Sequence, residues 1–436
     1  MEREEAVGGA VAPDAVGYVR RTFHSLRVRN FRLFIVGQLI STSGTWMQGV
    51  AGPWLVLQLT HSGTALGIDT ALTFLPILLF GAFGGVVADR FDNRRIMIVT
   101  QLLYAVPATT LWLLVITHVV QVWMVYSLSF LTGMVTAIDM PTRQSFYLEM
   151  VGPADLTNAM SLNTATFTGT RIIGPVIAAA IIATVGVGPV FLINGISYLA
   201  VVVAVLAMRT SDLRPRARAE RKPGQIREGI RYVWGNPALR LPMLVMAAVF
   251  LFSFNFMVLL PLLAVRTFRG GASTYGHLLA LFGVGSLGGA LFMASRSARA
   301  NVRLLVLLGL GFGGFTAAVG LAPSLPIEWV LMVGLGAVAI SFAITANSTL
   351  QLNSSDPMRG RVMALYSVVF LGSTPVGGPI AGWVGQHLGP RVGLTGGGLI
   401  AVAAGLAGLA AVSRVPVRTA RGPVTAGARS NEPASP

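Results

Sequence analysis

The stretch Gly81-Ala-Phe-Gly84-Gly85-Val-Val-Ala-Asp89-Arg90-Phe-Asp92-Asn93-Arg94-Arg95 decides the fold. It closes one apolar run, packs two acids and three arginines into a short turn, and opens directly into a second apolar run. A membrane-crossing helix needs about 20 mostly apolar residues. Basic loops stay on the cytoplasmic side. The stretch therefore reads as the cytoplasmic turn of a hairpin of two membrane helices.

The same reading extends in both directions. Apolar runs lie near 33–58, 65–88, 96–117, 120–140, 158–183, 189–208, 241–264, 275–295, 303–322, 327–350, 362–386 and 392–413, predicting twelve spans. Arginines cluster before span 1 and after spans 2, 6, 8, 10 and 12, whereas the opposite loops carry only Arg266, Arg269 and Arg391. An even number of spans with both termini in the cytoplasm follows. Residues 1–30 contain no apolar stretch of signal-peptide type, so span 1 is its own insertion signal.

Composition excludes most other classes. The 436 residues are 54% hydrophobic and 11% charged, against about 25% charged in soluble domains. The net charge of +16 sits in loop clusters rather than on a nucleic-acid-binding face, so no nucleic-acid partner is expected. No cysteine is present and the five histidines are scattered, which leaves no metal-ligand set and no thiol chemistry. No phosphate-binding Gly-Lys-Ser/Thr motif occurs, and no catalytic cluster stands out. The expectation is a chain that is not an enzyme and needs no cofactor.

The chain also aligns with itself at an offset of 204. Gly81, Gly84, Gly85 and Arg95 meet Gly285, Gly288, Gly289 and Arg299, while Pro153, Gly174 and Pro175 meet Pro357, Gly378 and Pro379. The organisation is then a tail at 1–30, a six-helix half at 31–208, a basic cytoplasmic linker at 209–240 with a surface helix near 225–234, a second parallel half at 241–413, and a disordered tail at 414–436. Parallel halves frame a mid-membrane site and rock about it. Glycines at four-residue spacing also serve plain close packing, and both roles stay open here.

Twelve spans, a 6+6 repeat and the turn after span 2 resemble the major facilitator superfamily. The turn is similar to the signature G-x-x-x-D-R-x-G-R-x-R through Gly85, Asp89, Arg90 and Arg95, with Asp92 in place of the second glycine and Asn93 in place of a base. Asn30-Phe-Arg-Leu33, Gly44-Thr-Trp-Met-Gln48, Trp54-Leu-Val-Leu, Ala65-Leu-Gly67, Asp139-Met-Pro-Thr-Arg143-Gln144 and Arg171-Ile-Ile-Gly174-Pro175 resemble its enterobactin-exporter and macrolide-efflux branch, the transmembrane secretion effectors. That resemblance implies an all-α integral membrane protein of twelve helices in a bacterial inner membrane. It implies efflux of an amphipathic small molecule, with a proton gradient as energy source. No partner beyond cargo and lipid bilayer is expected, and a monomer suffices. A lysolipid flippase of the same fold is one alternative. A non-transporting sensor or assembly partner is another, and a latch and an embedded arginine disfavour it.

Charges inside spans are functional candidates. Asp69, Asp139, Arg143 and Arg171 qualify, and depth matching predicts the pairs Arg171–Asp69 and Arg143–Asp139. Proton coupling needs a buried carboxylate that can take up and release a proton. Asp69, Asp139 and Glu328 are the candidates; Asp139 is favoured, although neighbouring Arg143 argues the other way. Gly85, Asp89, Arg90 and Arg95 form a candidate latch or simply a topology-setting basic loop. Gly174 with Pro175 and Gly378 with Pro379 read as paired hinges or as fixed kinks. The family resemblance implies that spans 1, 4, 7 and 10 line the cavity. Gln38, Thr42, Thr45, Trp46, Gln48, Tyr126, Asn255, Phe256, Thr345 and Asn347 become substrate candidates.

Overall fold

The computed structural model describes residues 24–214, 225–295 and 300–412, and it is almost wholly helical. Arg20, Arg21, Arg296, Arg299, the tails and much of the linker fall outside the described residues.

The helices are α1 (Arg29–Thr60), α2 (Gly63–Arg90), α3 (Asn93–Ile116), α4 and α5 (the two arms of Val122–Val185), α6 (Gly188–Leu206), α7 (Pro237–Thr267), α8 (Ala272–Ser295), α9 (Val302–Leu321), α10 (Leu325–Leu352), α11 (Asp356–His387) and α12 (Pro390–Val412). Ten of the described helices are long and apolar enough to cross a membrane. The 64-residue helix over Val122–Val185 counts once there, and α1 is not among the ten. The linker carries a helix, Gln225–Gly235, where the sequence predicts one.

Local chemistry sets the boundaries. A side-chain oxygen at an N-cap satisfies an amide that the helix leaves unpaired. Ser62 does this for α2, Asp92 for α3, Asn236 for α7 and Asn301 for α9. These polar caps sit at the ends of apolar runs, which is why the turns can be short.

Two boundaries differ from the sequence reading. Residues 141–157 lie outside both predicted spans 4 and 5, yet they are helical apart from Gly152, whose φ of 74° breaks the helix. A left-handed residue is cheap only for glycine, and Pro153 starts the next arm without needing an amide partner. Span 11 is interrupted at Ser373, ahead of Pro375, whereas helix continues through both Pro175 and Pro379. The break in helical dihedrals is therefore at Gly152, since Ser373 keeps right-handed helical φ and ψ.

Helices α1–α6 pack as one group: α2 on α4, α1 on α5 and α6, and α3 on α4 and α6. Helices α7–α12 form a second: α8 on α10, α9 on α10 and α12. The main pairings that join the groups are α2 with α11 and α5 with α8. Arg29, Arg32, Arg90, Arg94, Arg95, Arg209, Arg214, Arg359 and Arg361 mark one end of the bundle. At this end Arg94 donates to the carbonyls of Val205 and Leu206 and Asn30 pairs with the backbone of Arg209. Arg266 and Arg391 mark the opposite end.

Candidate functional site

The embedded charges separate into one saturated pair and several open groups. Arg143 lies four residues after Asp139, one helical turn on, and donates to its Oδ2 from Nε at 3.0 Å and from Nη2 at 2.5 Å. Oδ1 of Asp139 accepts from Thr100 at 2.8 Å and Gln101 at 2.9 Å, both on α3. A buried charge is tolerable when paired and fully hydrogen-bonded, and Asp139 meets both conditions. The predicted Arg143–Asp139 pair is formed. Because every face of Asp139 is engaged, the preference for it as the proton carrier loses its geometric basis.

The predicted Arg171–Asp69 pair is not formed. Asp69 turns toward α4 and accepts from Ser129 at 2.7 Å. Arg171 turns toward α1 and α8, with its guanidinium carbon 5.1 Å from the Trp46 ring centroid and 4.5 Å from that of Phe282. Matched depth does not imply matched azimuth: the two side chains leave their helices on different faces. Among the described residues Arg171 makes no ion pair, and its Nε lacks a hydrogen-bond partner. Glu328 at the start of α10 is fully buried with both carboxylate oxygens unpartnered.

Several cavity candidates are committed to neighbours in their own half. Gln48 accepts from Asn194 at 2.6 Å and Tyr126 donates to the Ala65 carbonyl at 3.3 Å, whereas Gln38 is buried with its Oε1 unpartnered. Asn255 donates to the carbonyls of Phe250 and Leu251, which the π-helical turn Val249–Ser253 leaves short of partners. Phe256 is buried against Phe254, Phe282 and Phe312. Thr345 is buried with its hydroxyl unpartnered. Thr42, Trp46 and Asn347 are half-buried, and Asn347 accepts from Gln351 at 2.6 Å.

The repeated glycines divide by role. A Cβ on Gly84 would strike the Ala137 carbonyl of α4, and Cβ atoms on Gly285 and Gly289 would strike the Val333 and Ala337 carbonyls of α10. Those contacts stay inside one half, so these glycines serve packing. Other glycines lie where the halves meet. A Cβ on Gly378 would stand 3.3 Å from the Gly67 carbonyl and 3.6 Å from Thr70 Cβ, and one on Gly283 would stand 2.9 Å from Ile172 Cγ1. A Cβ on Gly276 would meet the Pro175 carbonyl at 2.9 Å, and Pro379 closes on Gly67. Gly174 packs on Trp46 within its own half.

These inter-half approaches run from Gly63 to Leu78 on α2 and from Gly276 to Gly283 on α8. Hydrogen bonds join the halves at the arginine-poor end. The Gly63 amide donates to Gln386 Oε1 at 2.8 Å, while Arg266 reaches both Gln386 and the His61 carbonyl. Toward the arginine-rich end, Cβ atoms on Gly81 or Gly288 would meet nothing within 4 Å. Phe83 and Leu291 there are 62% and 63% exposed.

In the turn after α2, Gly85 is buried, Asp92 caps α3 and Arg95 lies 3.6 Å from Asp92. Asp89 and Arg90 line a polar cavity of about 410 Å³ with Asn93, Glu149 and Arg214. Sequence reasoning missed Thr100, Gln101, Ser129, Phe282, Arg266 and Gln386. The adjacent polar pair Thr100-Gln101 inside an apolar run was the one visible signal. Phe282 carries no sequence mark as the partner of a residue on α5.

Comparison with known proteins places the chain. The family model for transmembrane secretion effectors matches residues 20–433. The multidrug efflux pump Tap of Mycolicibacterium fortuitum is 28% identical over 371 residues, 81% of this chain and 90% of Tap. The enterobactin exporter EntS of Shigella flexneri is 24% identical, covering 83% of this chain and 86% of that protein. Among solved structures, a bacterial homologue of the human lysosomal transporter Spinster, inward-facing and occupied, superposes with a TM-score of 0.68 at 16% identity, over 91% of this chain and 97% of that one.

Proposed function

We propose that this chain, which belongs to the transmembrane secretion effector family of the major facilitator superfamily, exports an amphipathic small molecule from the bacterial cytoplasm by alternating access driven by proton antiport. The family members it matches are transporters, and the chain is a multi-pass membrane protein. In this reading all twelve helices cross the inner membrane, the arginine-rich end faces the cytoplasm, both termini lie inside, and the working unit is a monomer.

One observation carries the reading. The halves close on each other at the arginine-poor end, through α2–α11 and α5–α8, and lose contact toward the arginines. With the arginines inside, that is a carrier shut to the exterior and ready to load cargo from the cytoplasm. Closing the other end requires α2 and α8 to approach α11 and α5 near Asp89, where the turn 85–95 would act as the latch. The cargo class of drug, macrolide or siderophore type follows the relatives and the apolar, aromatic-rich interior.

Coupling is assigned to Asp69. A proton carrier must be free to change its protonation state. Asp69 has a single hydroxyl partner and neighbours Gly67 and Thr70, which touch α11. Asp139 would first have to surrender Arg143. The test is dye and antibiotic efflux from an efflux-deficient bacterium expressing wild type or Asp69→Asn at matched levels. Uncoupler-sensitive protection by wild type, lost in Asp69→Asn, is expected. Protection that survives the uncoupler would remove proton coupling, and full activity of Asp69→Asn would remove that carboxylate.

A lipid-moving reading has one observation in its favour. An apolar groove of about 1090 Å³ runs between α1 and α6 with Arg32 at one end. It lies within one half, away from the pairings that must part, so export is preferred.

A further inference from the structure

Among the described residues, Arg171 is a cation with a buried Nε, and the proposed coupling does not use it. It sits on α5 at the junction with α8, and its guanidinium is held by Trp46 of its own half and Phe282 of the other. Cation–π contacts satisfy the faces of a guanidinium. They leave its N–H edge without acceptors, and a desolvated arginine ordinarily finds a carboxylate, a phosphate or carbonyls. Here the Nε has no acceptor. The indole Nε1–H of Trp46 is also buried without one. Two buried donors, Arg171 Nε and Trp46 Nε1, are thus unmet on side chains that touch each other. Arg171 and Trp46 are both only half-buried as residues, and Phe167, which is exposed, meets Trp46 edge-to-face at 5.3 Å. The acid that depth matching assigns to Arg171 is engaged on another face of the bundle.

We infer that Arg171 and Trp46 form the recognition site for an oxyanion carried by the amphipathic cargo, the aromatic rings receiving its apolar body. The inference rests on the export reading for what the ligand is, though not for the existence of the site. A carboxylate or phosphate accepts from both donors in a charge-assisted geometry that a neutral amide matches poorly. Because Phe282 belongs to the opposite half, an anion that draws the guanidinium off that ring also loosens the α5–α8 junction, linking loading to the motion.

The test uses the purified full chain in neutral detergent. Binding of 2-naphthoate, of its uncharged isostere 2-naphthamide and of lysophosphatidylglycerol is followed by tryptophan fluorescence and by thermal unfolding. The expected result is at least tenfold tighter binding of an oxyanion than of the amide, abolished in Arg171→Gln and reduced in Trp46→Phe. Preference for naphthoate points to a small exported acid, preference for lysophosphatidylglycerol to a lipid headgroup, and either supports the site. Equal affinity for acid and amide, a preference that survives Arg171→Gln, or no binding by any of the three overturns it. If Arg171→Gln does not fold, Arg171→Lys decides: loss of the planar fork should weaken oxyanion binding at least threefold, and unchanged affinity overturns the site. Oxyanion binding without efflux in cells would sink the export reading and leave the site. Efflux without oxyanion preference would do the reverse.

Discussion

The two halves repeat glycines at a fixed offset but hold themselves together by different chemistry. The interior of α1–α6 is polar: Asp139, Arg143, Thr100 and Gln101 form one cluster. Tyr104 stacks on Tyr198 at 5.2 Å and donates to Thr136. Asn194 ties Tyr198 to Gln48. The interior of α7–α12 is aromatic, with Phe250 touching Phe254, Phe342 and Phe370, and Phe254 reaching Phe256 and Phe312. Directional contacts demand the right atoms, whereas ring packing demands volume and shape. The difference teaches where each half is sensitive: the first to loss of a hydrogen-bonding atom in its polar cluster, the second to loss of ring volume beside the π-helical turn of α7.

The comparison can be broken by mutation. Arg143→Ala leaves Asp139 charged and alone in the first half, and a loss of about 3–5 kcal/mol is expected for breaking a buried pair from one side. Thermal unfolding in detergent measures it, and the double variant Arg143→Ala/Asp139→Asn should recover a large part. A single variant as stable as wild type would show that the cluster is not what holds this half.

Gly84→Ala comes next. It forces α2 off the Ala137 carbonyl and should cost about 1–3 kcal/mol, as overpacking does. Gly283→Ala, on the inter-half contact, should leave the melting temperature nearly unchanged and raise the reactivity of a cysteine placed at the arginine-poor end. Equal destabilisation by both would erase the distinction between packing and gliding glycines.

Phe250→Leu in the aromatic half should cost about 1–2 kcal/mol and keep transport, because neighbouring rings can close on the smaller side chain. Abolished transport at retained stability would mean that the ring touches cargo. The smallest effect on stability is expected of Arg266→Ala. Its hydrogen bonds lie at a solvent-exposed closure, where water replaces the lost partners, so the variant should shift the balance between conformations without unfolding either half. Crosslinking rates across the halves measure that balance.

Much of this was legible before any coordinates. The apolar runs and the arginine clusters mark helix ends by chemistry that does not depend on neighbours. Depth matching paired Asp139 with Arg143, and the helix that carries both beyond the apolar run brings them one turn apart. Helix beyond the apolar core left no hydropathy signal, so 141–157 went unassigned and only Gly152-Pro153 hinted at the break. The partners of Arg171 and Asp69 come from other helices, and azimuth is set by packing that hydropathy does not encode. The glycines announced close approach, but which helix approaches, α4 for Gly84 or α11 for Gly67, is a property of the assembled bundle.

The most direct measurement of the central claim, that the halves rock about closures at α2–α11 and α5–α8, is a reversible crosslink. The chain has no cysteine, so a pair can be introduced without background. Thr70→Cys/Gly378→Cys places two Cβ atoms about 3.6 Å apart, within the roughly 3.5–4.5 Å that a disulfide spans. Oxidation should form the bond, arrest uncoupler-sensitive efflux, and release it on reduction, while each single variant keeps transporting. Full efflux by a quantitatively crosslinked protein would contradict the account.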